Sequence, residues 1–359
     1  EASLTESKQS FWDLPYLKES YINTAPTKRP DAIAVGSIAN KEAIIRLAKE
    51  LAIDEKGLYD SLLISHKNKL IFESYFKRGR IDLPHFQASI TKSFLALAVG
   101  RAIQLGYLSM ADLNKPIIGF IKGLDHKILA QGVEHITLHQ TMSMRSGIRV
   151  SDDERKRIMD STTQSRGMNI AQEFLQHSKA ITPASQTFKY QDPDPRLTMQ
   201  VLDNIVPGSA KNFIKNEVLA KIGITHYGWK EDINGLPVAE STSSMTLRDM
   251  IKLGTLVLNQ GKWNGEQLIS ADFLSVATSN ITKPKEDWIP ENFSYGYYWY
   301  NTEMKVKDKK YKAKLAWGAG QQFILTFEAL DLVVVFTAHA GDNDTLKISA
   351  EKILPEFIM

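Results

Sequence analysis

Hydrophobic and polar positions divide the chain into a β-rich beginning, a helical middle and a β-rich end. Two β-rich runs, 61–66 and 70–76, surround the polar turn Lys67-Asn68-Lys69 and predict a hairpin. From about 88 to 284 the apolar positions recur mostly with a helical period, and beyond 290 the pattern returns to strands. The predicted helices span 40–53, 90–105, 168–177, 195–206, 210–221, 246–259, 270–279 and 344–358. The later predicted strands span 295–302, 311–317, 322–327 and 332–338.

This order of elements predicts an α+β fold. Residues 1–84 and 285–359 would form a sheet domain from both chain ends, and residues 85–284 a mainly helical domain inserted between them. The alternative is two sequential domains, but a single hairpin near the N-terminus makes a poor sheet alone. A ligand cleft is expected at the junction of the two domains.

The amino-acid composition excludes some classes of protein. The 359 residues are 43% hydrophobic and 24% charged, which is ordinary globular usage and argues against wholesale disorder. Lys and Arg total 44 against 41 Asp and Glu, so the net charge is only +3, and no run of five like charges indicates nucleic-acid binding. No stretch of about 18 apolar residues predicts a transmembrane helix.

Cysteine is absent, which excludes disulfides, thiol catalysis and cysteine-ligated metals. Because a chain without cysteine folds under oxidising or reducing conditions alike, this says little about the compartment. The sequence starts at Glu1 with no leader-like segment, so we expect either a cleaved leader or a trimmed sequence.

The pair Ser89 and Lys92 is the most informative feature of the chain. It forms an S-x-x-K motif at the start of a helix that is apolar nearly all round from Phe94 onward, as in a helix buried inside a protein. Two other matches have different surroundings. Ser74-Tyr-Phe-Lys77 lies on a predicted strand, where positions i and i+3 face opposite sides, and Ser349-Ala-Glu-Lys352 lies on an amphipathic helix, where both side chains are expected in solvent.

Helical spacing gives this pair a chemical meaning. Residues i and i+3 are neighbours, with Cβ atoms roughly 5–6 Å apart, so the amine of Lys92 can reach the hydroxyl of Ser89. A serine near a helix N-terminus also feels the positive end of the helix dipole. A buried lysine loses affinity for its proton, and a neutral lysine can deprotonate a serine. The alternative is that Ser89 caps the helix while Lys92 extends to solvent.

The motif Ser89-Ile-Thr-Lys92-Ser-Phe resembles the nucleophile motif of the serine β-lactamase and penicillin-binding-protein superfamily. It is most similar to the class C β-lactamase-related branch, which includes esterases and aminohexanoate-oligomer hydrolases. Further segments match that branch in its order, over roughly residues 60–340. They are Ile136-Thr-Leu-His-Gln-Thr-Met-Ser-Met-Arg-Ser-Gly-Ile148, similar to "ITLRHLLTHTSGL"; Phe188-Lys-Tyr-Gln-Asp192, similar to the Y-x-N motif; Tyr295-Gly-Tyr-Tyr-Trp299, similar to an aromatic strand; and Ala316-Trp-Gly-Ala-Gly-Gln-Gln322 with Leu330-Asp-Leu-Val-Val-Val335, similar to "AxGxGGQ…LDLVVV".

The resemblance implies a β-lactamase/transpeptidase-like fold, with an antiparallel sheet flanked by terminal helices. It makes Ser89 the acylated nucleophile, Lys92 its basic partner and Tyr190 the second base or proton shuttle. Which of Lys92 and Tyr190 takes the first proton is left open, since the two groups would titrate as a coupled unit. The backbone N–H groups of Ser89 and Ala319 would form the oxyanion hole, and Gly318 suits a close approach of backbone to ligand.

Other interpretations of these residues are weaker. Tyr190 alone would more often be a core or surface residue, and Gly318 with Gly320 could mark a bulge. The pair His135 and His139 has the spacing of two metal ligands on a helix, but 136–138 looks extended and no H-E-x-x-H pattern occurs, so no metal site and no cofactor are expected. No glycine-rich nucleotide loop is present.

Three departures from the branch bear on the substrate. The K-T-G position reads Ala316-Trp317-Gly318, and an indole cannot hold a substrate carboxylate as lysine and threonine do. Asp192 replaces the asparagine of Y-x-N, where it could orient Lys92 or favour an amine-bearing substrate. Gln321 replaces the second glycine of "GGQ". The predicted substrate-binding residues are Asp192, Trp317, Gly318 and Gln322.

The sequence therefore predicts a serine hydrolase that forms an acyl-enzyme on a small or peptide-like ester or amide. The alternatives are a β-lactamase or D-alanyl-D-alanine peptidase, a penicillin-binding sensor domain with little turnover, and an inert scaffold, although a scaffold should have lost one of the three catalytic positions. By analogy with much of the family, a periplasmic or secreted location is expected.

Overall fold

The computed structural model describes residues 2–38, 41–160, 169–340 and 344–358. Its main feature is an eight-stranded antiparallel sheet with strand order β1-β3-β2-β13-β12-β11-β10-β9. The strands are β1 (Tyr21–Asn23), β2 (Tyr59–His66), β3 (Lys69–Tyr75), β9 (Ser294–Tyr295), β10 (Tyr300–Val306), β11 (Lys309–Gly318), β12 (Gln322–Phe327) and β13 (Leu332–Ala338). The sheet thus joins strands from both ends of the chain, as the α+β prediction required.

Two small sheets accompany it. One has the order β4-β6-β5, formed by β4 (His85–Phe86), β5 (Tyr227–Trp229) and β6 (Ser243–Met245). The other pairs β7 (Lys262–Trp263) with β8 (Glu266–Gln267). The short strand β4 matters most, because it leads directly into the segment that carries Ser89.

The described α-helices are α1 (Glu42–Ile53), α2 (Ile90–Gln104), α3 (Leu138–Met142), α4 (Asp152–Met159), α5 (Ile170–His177), α6 (Pro193–Ile205), α7 (Ala210–Phe213), α8 (Leu247–Leu258), α9 (Ala271–Ala277) and α10 (Thr345–Ile348). Two π-helical segments, Ile214–Leu219 and Ser349–Ile353, continue α7 and α10. The 3₁₀ segments are Glu6–Lys8, Phe11–Asp13, Met110–Asn114, Ile117–Gly119, His126–Ile128, Val133–His135, Ala220–Ile222, Glu328–Leu330 and Leu354–Phe357.

Helix α2 lies in the interior, as its apolar sequence predicted. All residues from Ile90 to Ala102 are buried, and the helix contacts α6, α9 and β11. Helix α8 packs on the sheet strands β12 and β13, while α1 contacts β2 and the C-terminal helical segment. The helix that carries the S-x-x-K pair is therefore enclosed by both the sheet and the helical elements.

Several predicted elements need correction. The strand predicted over 295–302 is broken between β9 and β10, because Tyr298 has φ +60° and the intervening backbone leaves the sheet. The predicted helices at 210–221 and 344–358 each change to π-helical and then 3₁₀ geometry. The segment predicted as extended over 136–138 becomes helical at Leu138. Ser349 is not in solvent but buried, and donates to the carbonyl of Thr345.

Candidate active site

Ser89 lies at the end of a tight connection between β4 and α2. The connection is fixed by the Gln87 N–H, which donates to the carbonyl of Ser243 (3.1 Å), and by Ala88, which adopts φ +48°. This left-handed conformation is costly for a residue with a side chain and is often found near functional sites. The hydroxyl of Ser89 makes no capping hydrogen bond to the helix. It is therefore available to other groups.

Lys92 turns back toward Ser89 from the first turn of α2. Its side chain is buried, with only 3% of the residue exposed, and its Nζ lies 2.9 Å from Ser89 Oγ. The same Nζ donates to the backbone carbonyl of Glu240 (2.6 Å). The alternative of a capping serine and a solvent-exposed lysine is therefore wrong, because neither side chain takes the position it requires.

Tyr190 also borders the lysine. The Nζ of Lys92 lies 4.8 Å from the centre of the Tyr190 ring, within cation–π distance. The loop that carries Tyr190 is held by its own N–H, which donates to Glu286 Oε1 (3.0 Å), and the ring packs edge-on against Trp288. Ser89 and Lys92 at the start of α2 and Tyr190 in the loop before α6 are thus brought together.

Tyr300 on β10 lies near Tyr190 and contacts the ring of Trp317 at 5.6 Å. Burial raises the pKa of Tyr300 well above its usual value, and the neighbouring Tyr190 acts in the same direction. Tyr300 therefore keeps its proton.

Gly318 ends β11 directly beside the connection that precedes Ser89. A Cβ atom at this position would lie 2.3 Å from the carbonyl oxygen of Gln87 and 3.2 Å from the Cβ of Ala88. Only glycine allows the two backbones to approach so closely. Ala319 follows as an exposed residue, and the chain then turns through Gly320 (φ +77°) and Gln321 (φ +65°). Gln321 thus adopts the left-handed conformation that the family's second glycine would take without strain.

Gln322, which the sequence predicts to bind substrate, contacts the protein backbone in the structure. The side chain is buried, and its Nε2 donates to the carbonyls of Ala338 (2.5 Å), Gly320 (3.1 Å) and Ala319 (3.4 Å). Both amide hydrogens are therefore used by the backbone. Gln322 ties the turn after β11 to the end of β13.

Trp317 belongs to an aromatic wall beside the catalytic candidates. Its ring stacks on Phe323 with 5.4 Å between centroids and an interplanar angle of 19°. It also contacts Tyr300 at 5.6 Å and Trp288 at 5.4 Å, and Trp288 in turn contacts Tyr190. The K-T-G position of this chain therefore contributes apolar and aromatic surface.

Asp192 does not contact Lys92. Its carboxylate forms an ion pair with Arg155 on α4, with 2.9 Å between Nη1 and Oδ2. Both side chains are partly exposed, so the pair connects α4 to the start of α6 at the rim. The suggestion that Asp192 orients Lys92 is replaced by the contact of Lys92 with the Glu240 carbonyl.

Sequence reasoning missed Glu240, Glu286, Trp288 and the role of Tyr300. Glu240 is buried, and its Oε1 pairs with Arg196 of α6 at 2.6 Å, which fixes the backbone carbonyl that receives Lys92. These contacts join residues far apart in the chain, so local sequence pattern does not indicate them. The acceptor for Lys92 is a backbone carbonyl, which every residue type has, so the side chain at position 240 does not reveal it. The aromatic cluster at 295–300 was the local signal for Tyr300, and it is more often typical of core and sheet packing than of a substrate-binding surface.

Asp194 is a second titratable group close to the Tyr190 loop. It is fully buried at the start of α6 and accepts hydrogen bonds from Ser146 Oγ (2.5 Å) and Gln191 Nε2 (3.0 Å). Burial raises the pKa of Asp194 to about 7, although these hydrogen bonds act to lower it.

Other groups of polar side chains have structural explanations. Ligand atoms of Glu154, Glu173 and His177 lie within 4.8 Å of one another, but the guanidinium of Arg157 already binds both carboxylates, at 2.5 and 2.6 Å. His135 is exposed beside Glu134, and His139 Nδ1 contacts the hydroxyl of Tyr297 at 2.6 Å, so the pair with metal-ligand spacing has separate partners.

A cavity of about 510 Å³ lies elsewhere, between α8, the β2–β3 turn and the β7–β8 hairpin. None of the predicted site residues lines it. Among the described residues, no helix combines the length and the apolar character needed to cross a membrane.

Comparisons with known proteins find chains of similar fold. The chain is similar to a proposed 6-aminohexanoate-dimer hydrolase from Bacillus anthracis, with 19% identity and a TM-score of 0.68 over 92% of this chain and 88% of that one. It is also similar to EstCE1, a hydrolase with promiscuous acyltransferase activity, with 12% identity and a TM-score of 0.67 over 85% of this chain and 95% of that one. A class C β-lactamase matches with 13% identity and a TM-score of 0.64 over 89% of this chain and 95% of that one.

At these identities the structural likenesses establish the fold, and the β-lactamase/transpeptidase-like architecture predicted from the sequence is confirmed. The family model for β-lactamase matches residues 47–352, which is most of the chain. The protein therefore belongs to the β-lactamase family, within the serine hydrolase superfamily.

Proposed function

We propose that this protein is a serine esterase or amidase that works through an acyl-enzyme, with Ser89 as the nucleophile. The observation that carries the proposal is the 2.9 Å contact between Lys92 Nζ and Ser89 Oγ on a buried helix. A nucleophile within hydrogen-bond distance of its base is the arrangement that such chemistry needs.

Lys92 is the proposed first base, because its Nζ lies within hydrogen-bond distance of Ser89 Oγ. In its neutral form it would keep one N–H on the Glu240 carbonyl and accept the proton of the Ser89 hydroxyl. Transfer of that proton frees Ser89 Oγ to attack the substrate carbonyl carbon. Tyr190 borders the same lysine and is the proposed relay of the proton to the leaving alcohol or amine.

Backbone amides would stabilise the tetrahedral intermediate. The N–H groups of Ser89 and Ala319 are the proposed oxyanion hole, supported by the close approach of Gly318 to the Gln87 carbonyl. After the leaving group departs, water attacks the acyl-enzyme. Lys92 and Tyr190 take up the proton that the water loses. They return a proton to Ser89 Oγ as its bond to the acyl group breaks.

The aromatic wall favours a substrate with an apolar or aromatic group beside the scissile bond. Trp317 replaces the donors that bind a carboxylate in β-lactamases and D-alanyl peptidases, and Trp288 remains 50% exposed next to it. We therefore propose aromatic or long-chain esters and amides as substrates, with a periplasmic or secreted location carried over from the family.

The test compares the wild type with Ser89→Ala and with Ser349→Ala, a matched serine from the second S-x-x-K match. Hydrolysis of a p-nitrophenyl ester and labelling by a fluorophosphonate are measured, and the labelled peptide is identified by mass spectrometry. Ser89→Ala should abolish labelling and lower kcat by about a thousandfold or more, whereas Ser349→Ala should retain both.

The outcomes separate the candidate functions. Labelling of a peptide without Ser89, or ester turnover that survives Ser89→Ala, would overturn the assignment of the nucleophile. A stoichiometric burst with penicillin or an ester, followed by no steady state, would instead favour a sensor domain that is acylated and released slowly.

A further inference from the structure

A buried carboxylate outside the catalytic group connects the two backbone segments of the proposed oxyanion hole. Asp60 on β2 is fully buried and accepts hydrogen bonds from His85 Nε2 (3.0 Å), His339 Nδ1 (2.9 Å) and the Arg78 N–H (2.9 Å). Burial alone would raise the pKa of Asp60, but the hydrogen bonds from His339 and His85 outweigh it and hold the pKa below its usual value. Asp60 therefore acts as an ionised acceptor for both histidines.

His85 supports the segment that carries the Ser89 N–H, the first donor of the proposed oxyanion hole. It lies on β4, four residues before Ser89, and its Nδ1 faces the carbonyl of Phe86 at 2.8 Å. Both ring nitrogens of His85 thus face oxygen acceptors, which fixes the ring and the backbone at the start of the connection. The next residue, Gln87, places its carbonyl against Gly318.

His339 supports the segment that carries the Ala319 N–H, the second donor of the proposed oxyanion hole. It directly follows β13, whose last residue, Ala338, accepts the hydrogen bond from Gln322. The same amide of Gln322 donates to the carbonyls of Gly320 and Ala319. The position of the turn that carries the Ala319 N–H is therefore tied, through Gln322 and β13, to His339.

The N-terminal segment closes this cluster from the outside. The hydroxyl of Tyr16 lies 2.7 Å from His339 Nε2, and the ring of Phe11 lies 4.1 Å from the ring of His85. The guanidinium of Arg78 lies over the ring of Tyr16 at 5.6 Å. Little water can reach Asp60, so its hydrogen bonds act in a low-dielectric environment in which each is stronger than in water.

We propose that Asp60 is a positioning residue for the proposed acyl transfer: through His85 and His339 it holds the N–H groups of Ser89 and Ala319 in the register that an oxyanion hole requires. The inference rests on the proposed function. Oxyanion donors must lie about 2.7–3.1 Å from the developing charge, and a displacement of about 1 Å can lower the rate about a hundredfold. Ser89 follows β4 of the small sheet and Ala319 follows β11 of the large sheet, and Asp60 lies where the supports of these two segments meet.

The test is the variant Asp60→Asn. One assay measures the rate constant of fluorophosphonate labelling for the fraction of molecules that can be labelled, and a second measures kcat and KM for a p-nitrophenyl ester. Asparagine keeps the volume but offers one acceptor oxygen, so one histidine loses its partner. The matched control is Glu73→Gln, because Glu73 is an equally buried carboxylate of the same sheet that pairs with Arg248 and contacts neither segment.

Asp60→Asn should lower the labelling rate and kcat about tenfold to a hundredfold, with KM and the final labelled fraction little changed. Glu73→Gln should lower Tm, whereas its labelling rate constant should equal that of the wild type. A merely structural role for Asp60 predicts a lower Tm and labelled fraction at an unchanged rate, and that result would overturn the inference while the proposed function stands. If the wild type is not labelled at Ser89, the proposed function falls and this inference falls with it.

If Asp60→Asn does not fold, His339→Leu and His339→Gln provide the decision. Leucine removes the N–H that Asp60 accepts, whereas glutamine retains a donor. The inference expects a slow labelling rate for His339→Leu and a rate closer to wild type for His339→Gln. Equal wild-type rates in both variants would overturn it.

Discussion

Gly318→Ala tests whether the close approach of β11 to the connection before Ser89 matters for activity. The new Cβ would lie 2.3 Å from the Gln87 carbonyl oxygen, and an ordinary contact of carbon with oxygen is about 1 Å longer. The obstacle is backbone, which cannot rotate away as a flexible side chain can. The two segments must therefore separate by about 1 Å, which displaces the Ala319 N–H from the Ser89 N–H.

A displacement of that size predicts a fall in kcat/KM of about a hundredfold for a p-nitrophenyl ester. The matched control is Gly119→Ala, because Gly119 has open space around its Cβ position and no positive φ. Both variants are compared at equal concentrations of folded protein, determined by thermal unfolding. A Gly318→Ala enzyme that is folded and retains wild-type kcat/KM would refute the placement of the oxyanion hole at this contact.

Two further predictions concern stability and specificity. Because the pKa of Asp194 is raised in the folded protein to about 7 from an ordinary 3.8, its contribution to stability is complete below that ordinary value and is lost as the pH rises toward 7, at roughly 1.4 kcal/mol per pH unit. Between pH 5 and pH 8 the free energy of unfolding, measured with urea, should therefore decrease more steeply for the wild type than for Asp194→Asn. Parallel pH profiles of the two proteins would contradict this prediction. Trp288→Ala should raise KM for an aromatic ester about tenfold and leave KM for an acetyl ester nearly unchanged, because Trp288 offers exposed aromatic surface; equal changes for both esters would exclude it from substrate binding.

The parts of the fold that local pattern determines were predictable. Strands β12 and β13 match their predicted bounds, because a continuous apolar run between turn residues has few alternatives. Helix α2 matches within one residue, since its apolar surface on all sides requires burial. The contact between Lys92 and Ser89 follows from the same local spacing.

Contacts between distant segments were not predictable from local pattern. The break at Tyr298 carries its buried residues out of the sheet to α2, where Ser93 Oγ donates to the Tyr298 carbonyl at 2.5 Å. An aromatic run suits a continuous strand and this excursion equally well. Gln322 is similar, because an amide can donate to a ligand or to its own backbone, and only the fold decides between them.

The replacement of K-T-G removes a charged side chain from the end of β11. A lysine at the position of Ala316 would carry a positive charge in the family pattern, whereas Ala316 is small, uncharged and fully buried. The neighbouring indole of Trp317 contacts Tyr300 and Trp288 and carries no charge either. Fewer positive charges attract a substrate carboxylate less. The replacement therefore supports the proposal that the substrate is an uncharged ester or amide.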